Sequence, residues 1–169
     1  MAEHVIQVTG IPEVLRGLEQ LDKFMQSTKP MELLTGDVKE RIVDLTARSL
    51  DYRGRRFAPY STAYAKLKRR KTGSAKVNLR LSGTMMNAVS TSVSNPKKGR
   101  VFVRGDSEPG GRISAEWLAE IHSQGTGPQK QREFLNVTKN ALAEFVKKRF
   151  DDPILNIIRK YLRRGSATA

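Results

Sequence analysis

Apolar positions along this chain fall into two rhythms. From His4 to Thr9 the chain alternates, with Val5, Gln7 and Thr9 on one side and Ile6 and Val8 on the other, which predicts a short strand closed by Gly10. After Pro12 the period lengthens. Val14, Leu15, Leu18, Leu21 and Phe24 or Met25 recur at helical spacing. Lys29-Pro30 should end that helix, because a proline disfavours helix at the residue before it. A second helix is expected from about Met31 to Leu50, with Val38, Ile42, Leu45 and Ser49 inward and Glu40 and Arg41 outward.

Asp51 to Pro59 reads as a loop, and Ser61 as the cap of a short helix through about Arg70, with Tyr64 and Leu67 as its sizeable apolar pair. Lys71 to Asn78 has little to bury and reads as flexible. Ser82 can cap the following turn, and Gly83 suits close backbone approach. The period then becomes two. Val89, Thr91 and Val93 alternate with Ser90, Ser92 and Ser94, Asn95 to Gly99 turns, and Val101-Phe102-Val103 returns, predicting a β-hairpin. After the loop Asp106 to Gly111, Ser114 should cap a helix carrying Trp117, Leu118 and Ile121, which Gly125 to Pro128 stops. Val137, Ala141, Leu142, Phe145 and Val146 share a helical face; Asp152-Pro153 then signals a new helix start, with Ile154, Leu155, Ile157, Ile158, Tyr161 and Leu162 on its face. The expected fold is α+β: a small antiparallel sheet with a central hairpin, joined by the N-terminal strand and packed against N- and C-terminal helices. Residues 1–162 form one domain with a flexible basic segment at about 53–80, and 163–169 is a frayed tail.

Composition narrows the function. Hydrophobic residues make up 38% of 169, enough for a modest core. No apolar run approaches the roughly 20 residues of a membrane helix, and Met1-Ala2-Glu3-His4 does not begin a signal peptide, so no membrane partner is expected. The net charge of +14 implies acidic partners. It is uneven: Arg53, Arg55, Arg56, Lys66, Lys68, Arg69, Arg70, Lys71, Lys76 and Arg80 fall in a stretch without Asp or Glu. Such a cluster repels itself, and is expected to stay mobile until something negative meets it. It has three readings: a solvated segment, a DNA contact that neutralises phosphates, or a grip on acidic faces of neighbouring subunits.

Candidate chemistry is sparse. His122 has only Glu120 nearby in sequence, facing elsewhere on a helix, so a turn- or interface-holding histidine is expected rather than a catalytic one. With two histidines and no cysteine there is no expected metal site or disulfide. Gly110-Gly111 lies in an acidic loop without a following lysine, so no phosphate-binding glycine loop is present. Trp117 reads as a core or interface anchor. No enzyme activity and no cofactor are expected.

Four short segments occur in a telling order: Phe57-Ala58-Pro59-Tyr60-Ser61 before a basic helix; Leu79 to Val89; Trp117 to Gly125; and Pro128 leading into Arg132-Glu133-Phe134-Leu135. Together they resemble the phage virion morphogenesis family, the tail-completion and neck proteins of Mu-like and P2-like phages. The resemblance covers roughly the middle half of the chain. Gly83, Met85, Asn87, Ala88 and Val89 match a turn element feeding a hairpin. Ala119, His122 and Gly125 match the element after it, with Leu118 where the family has an aromatic. Pro128, Arg132, Phe134 and Leu135 match the last element, with a longer spacer. The resemblance implies a structural virion protein of the neck or tail end, assembled in the host cytoplasm. It implies a homo-oligomeric ring, six copies expected and twelve the competitor, that contacts the head connector and the tail tube or tail terminator. Genome DNA in the channel is a further possible partner, and a non-specific nucleic-acid-binding protein using the 53–80 segment is the alternative.

Overall fold

The computed structural model describes residues 11–80, 83–105, 114–125 and 130–166. The expected strand at 4–9, the cap at Ser82, the loop at 106–111 and Pro128 lie outside the described residues.

Helix α1 (Ile11–Gln26) and helix α2 (Lys29–Ala47) meet at the expected break, and Pro30 sits in the first turn of α2, where its missing N–H costs nothing. Helix α3 (Thr62–Thr72) begins at Ser61, whose hydroxyl accepts the Tyr64 N–H at 3.3 Å. A single turn, α4 (Thr84–Asn87), feeds strand β1 (Val89–Asn95), which pairs antiparallel with β2 (Lys98–Val103). Val89 lies opposite Val103 and Thr91 opposite Val101, with a register irregularity between Val93 and Asn95 beside the turn. Helix α5 (Ala115–Gln124) is capped by Ser114, which accepts the Trp117 N–H at 3.2 Å. Among the described residues the sheet is this hairpin alone.

The C-terminal third departs from expectation. Helix α6 (Lys139–Val146), capped by Thr138, does not stop before Asp152-Pro153. It widens into a π turn (Lys147–Asp151) and runs on as α7 (Asp152–Ser166). A proline inside a helix removes one i→i−4 hydrogen bond and crowds the preceding turn; the wider turn just before Pro153 makes room for the ring. Asp152 is therefore an interior residue at φ −62° and not a cap. The helix also continues past Leu162, into the stretch expected to fray.

Helix α2 organises the fold, packing against both strands, α6 and the π turn. The core joins Ile42 of α2, Phe57, Leu79, Met85, Met86, Val89, Val103, Ala115, Ala119 and Phe134. Asp37 of α2 accepts two 2.7 Å hydrogen bonds from the Arg149 guanidinium, and that contact, ahead of Arg149's wider field and of Lys148, holds its carboxyl below the usual range. A second layer forms as α7 folds back on α1. The two helices touch at Gly17, where an added Cβ would come within 2.9 Å of the Tyr161 side chain, and the π turn before α7 meets α1 at Phe24, whose ring lies edge-on to Phe150 at 6.4 Å.

Candidate functional site

The basic stretch divides into two ordered pieces. The first is the loop after α2. Ser49 at φ 68° turns the chain, Leu50 bridges to Arg56, and the Phe57 N–H donates to the Ser49 carbonyl. Asp51, immediately before the acid-free run, braces the arginines. Its carboxylate accepts the Arg53 and Arg55 backbone N–H groups and the Arg55 Nε–H, each at 2.9 Å. Burial raises the Asp51 carboxyl pKa, but these donors outweigh it and the net shift is downward. Arg53 lies over its neighbour Tyr52 and donates to that phenol. Arg53, Arg55 and Arg56 are all exposed, presented on a folded turn that lines one open depression with Gln131 and Glu133.

The second piece centres on Tyr60. Its ring is flanked by two cations, Lys68 Nζ at 5.0 Å and the Arg132 guanidinium at 4.8 Å from the ring centre. Both cations are almost fully buried, at 1% and 3% exposure. Lys68 was expected to be a surface residue of a flexible segment, and it is not. Its ammonium donates to the Lys76 carbonyl at 2.5 Å and to Asn78 Oδ1 at 2.6 Å, tying α3 to the irregular stretch that delivers Leu79 to the core. Burial lowers its pKa. Asn78 Oδ1 also accepts the Arg80 N–H, bracketing Leu79, which is held at φ 53°. The segment Lys71 to Asn78 thus includes a fixed link.

Arg132 reaches farther along the chain than Lys68. Its Nε and two terminal nitrogens donate to the Ala58, Lys130 and Pro59 carbonyls at 3.1, 3.1 and 3.2 Å. One guanidinium therefore fixes a loop more than 70 residues away in sequence. Burial lowers the Arg132 pKa, while burial chiefly pushes the Tyr60 phenol up to about 12. The Arg132 backbone N–H donates to the His122 carbonyl at 2.6 Å.

His122 closes the cluster through that carbonyl, not through its ring as expected: Nδ1 is buried without a hydrogen-bond partner. Desolvation first, and then the Arg132 charge, pull its pKa down to about 4. Gly125 ends α5 at φ 71°, and any Cβ there would lie 2.7 Å from the Gln131 backbone nitrogen, so only glycine lets the two segments close. Phe134, two residues beyond Arg132, is 1% exposed and belongs to the core that also holds Met85.

Two other expected site residues fall differently. Gly83 takes φ 91°, but nothing crowds it: an added Cβ would meet only Asn87 Nδ2 at 3.5 Å, so the close approach expected there is absent. Trp117 is 49% exposed and therefore is not a core anchor. Lys66, Arg69, Arg70 and Lys71 do face solvent on α3, the first three around an open surface depression. Sequence reasoning gave no role to Tyr60, Asp51 or Asn78. The spacing of Tyr60 and Tyr64 across the Ser61 cap, with rings 4.7 Å apart, was the available signal.

The cluster ties distant loops together through cations bonded to backbone and amide oxygens. The donors of Arg132 and Lys68 point at carbonyl and amide oxygens, and no group of three or more His, Asp or Glu is assembled among the described residues. No helix among those residues is long and apolar enough to cross a membrane. No protein-family model, no curated protein and no solved structure matches the chain.

Proposed function

We propose that this protein is a structural virion protein of a tailed phage, a neck or tail-completion subunit. Copies of it form a ring that joins the head connector to the tail, six being the expected number and twelve the competitor. The observation that carries this reading is the convergence of the segments on which the resemblance rests. Phe57, Leu79, Met85, Val89, Ala119 and Phe134, one or more from each of these segments, share one core, and Arg132 lies over the Tyr60 ring and donates to the Ala58 and Pro59 carbonyls.

The division of the cations supports an assembly role. Lys68 and Arg132 are consumed in folding, whereas Lys66, Arg69, Arg70 and Lys71 on α3 and the braced Arg53, Arg55 and Arg56 remain exposed. Those exposed groups suit acidic faces of neighbouring subunits, or of the connector or tail proteins. Deleting the protein from its phage is the direct test. Electron micrographs should show DNA-filled heads and tails that fail to join, or tails of abnormal length. Normal, infectious particles would overturn the proposal.

A second reading, non-specific nucleic-acid binding, is favoured by one observation: the depression on α3 is lined by Lys66, Arg69 and Arg70 with no acid among these residues. It requires the isolated protein to bind DNA of any sequence, with affinity falling steeply as salt rises. Salt-insensitive or absent binding removes it.

A further inference from the structure

We propose that the outward face of the α1–α7 pair is a contact between two copies of this chain, closed as an antiparallel four-helix arrangement. Ile11, Val14, Leu15, Leu18 and Met25 of α1 are 53, 43, 54, 57 and 49% exposed, and Leu155 and Ile158 of α7 are 43 and 38% exposed. These are large apolar side chains left in water although their helices already pack on each other. The seam of that packing is elsewhere, along Gly17 against Tyr161 and Phe24 against Phe150. These two contacts also fix the helices as antiparallel, since the earlier residue of α1 meets the later residue of the partner segment.

Helical rotation of about 100° per residue puts Ile11, Leu15, Leu18 and Met25 in one stripe centred about a third of a turn from Gly17 and Phe24. Leu155 and Ile158 centre about a quarter turn from Tyr161 on α7, in the same rotational sense. In an antiparallel pair those two offsets fall on the same side, so the stripes merge into one face. Roughly half of seven large side chains amounts to roughly 500–600 Å² of apolar surface, the top of the range for a monomer's largest patch. With a polar rim added, the face approaches the roughly 800 Å² per partner of a stable interface.

Charge selects a second copy as the occupant. The outer edge on α1 carries exposed Glu19 and Asp22, and the outer edge on α7 carries exposed Arg159. A dyad parallel to the helices lays α1 of one copy over α7 of the other. The register set by Gly17–Tyr161 and Phe24–Phe150 then brings Glu19 level with Arg159 of the other copy. The same dyad covers all of the apolar residues twice. Such a contact is self-complementary and closes on itself, so any larger ring must grow through another surface. It stands independently of the neck reading.

The test is sedimentation of the full chain at tens of micromolar. Wild type should sediment as a dimer or a multiple of it, and Leu15→Glu/Leu18→Glu should weaken association at least tenfold, with an unchanged circular dichroism spectrum. Glu19→Arg should weaken it too, and adding Arg159→Glu should restore it. Because the chain has no cysteine, Leu18→Cys carries a single spin label, which should show dipolar broadening in wild-type background. That measurement decides the matter even if the Glu variant misfolds. A monomeric wild type, association indifferent to the Leu15/Leu18 change, an unbroadened label, or failure of the charge swap to rescue would each overturn the proposal. Association that survives Leu15→Glu/Leu18→Glu would leave the ring reading standing and only this contact refuted.

Discussion

Lowering the pH from 7.5 to 5 should destabilise this protein by about 2 kcal/mol through one residue. In the fold His122 is held to a pKa of about 4, by desolvation first and the Arg132 charge second. Unfolded, it titrates near 6.5. Between those values the unfolded chain binds a proton that the folded chain refuses, so stability rises with pH across the window and is lost as pH falls from 6.5 toward 4. The loss saturates below the folded value at about 3 kcal/mol. The carboxylates act elsewhere: Asp37 and Asp51 have lowered pKa values, so their contribution fades only below the ordinary carboxylate range. For a chain of this size 2 kcal/mol corresponds to a fall in Tm of about 4–8 °C. Urea unfolding at pH 7.5, 6 and 5 reads the effect, and His122→Gln, which fills similar space without titrating, should flatten the profile. His4, the other histidine, stays in both proteins and cancels. A flat wild-type profile, or a slope that survives in His122→Gln, would refute the reasoning, as would a folded-state imidazole resonance titrating near 6.5 that disappears in His122→Gln.

Arg132→Met should cost about 3–5 kcal/mol by thermal melting, since the Ala58, Pro59 and Lys130 carbonyls all lose their donor; a loss under about 1 kcal/mol would contradict it. Lys68→Glu should leave the chain unfolded, because a buried carboxylate would face two oxygens, whereas Arg69→Glu/Arg70→Glu should move the melting curve by no more than about 0.5 kcal/mol. Circular dichroism separates the two outcomes. Gly125→Ala should lose about 2–3 kcal/mol, through both its φ and its contact with the Gln131 backbone, and Gly83→Ala only about 1 kcal/mol through φ alone; denaturant midpoints in the reverse order would contradict the assignment.

What was legible in the sequence was local. The starts of α3 and α5 at Ser61 and Ser114, the break at Lys29-Pro30 and the 89–103 hairpin follow from side chains acting within a few residues of themselves. Asp152-Pro153 failed because a capping signal also needs the preceding chain to leave the helix; a π turn let it stay. The site failed for a different reason. Lys68 and Arg69 are adjacent cations in a run of cations, and nothing in the run says that one turns inward. Its partners are a carbonyl at Lys76 and an amide at Asn78, reached only once α3 has folded back. Arg132 likewise satisfies carbonyls of Ala58 and Pro59, and backbone acceptors carry no side-chain signature. Apolar burial is patterned in sequence; backbone satisfaction by a distant side chain is not.

That difference bears on how a chain of net charge +14 folds at all. Burying Lys68 and Arg132 beside one another would be unfavourable if their charges were bare, for each loses water and repels the other. The fold offsets this with the negative ends of dipoles: the carbonyls of Ala58, Pro59, Lys76 and Lys130, the Asn78 amide oxygen, and the Tyr60 ring between the two. None of these brings a formal charge, so the exposed cations of α3 keep their field undiminished, whereas Asp51 already pairs with Arg55 in the braced turn. An internal carboxylate would have neutralised Lys68 and Arg132 more directly, but would also have weakened the attraction of that face for an acidic neighbour. Inserting one tests this: Asn78→Asp should raise the Lys68 pKa and leave the fold intact, since the acceptor stays in place. It should weaken binding of an acidic partner at low salt and lose that effect at high salt. If Asn78→Asp unfolds the protein instead, the Asn78 amide group serves the backbone around Leu79 more than it serves Lys68.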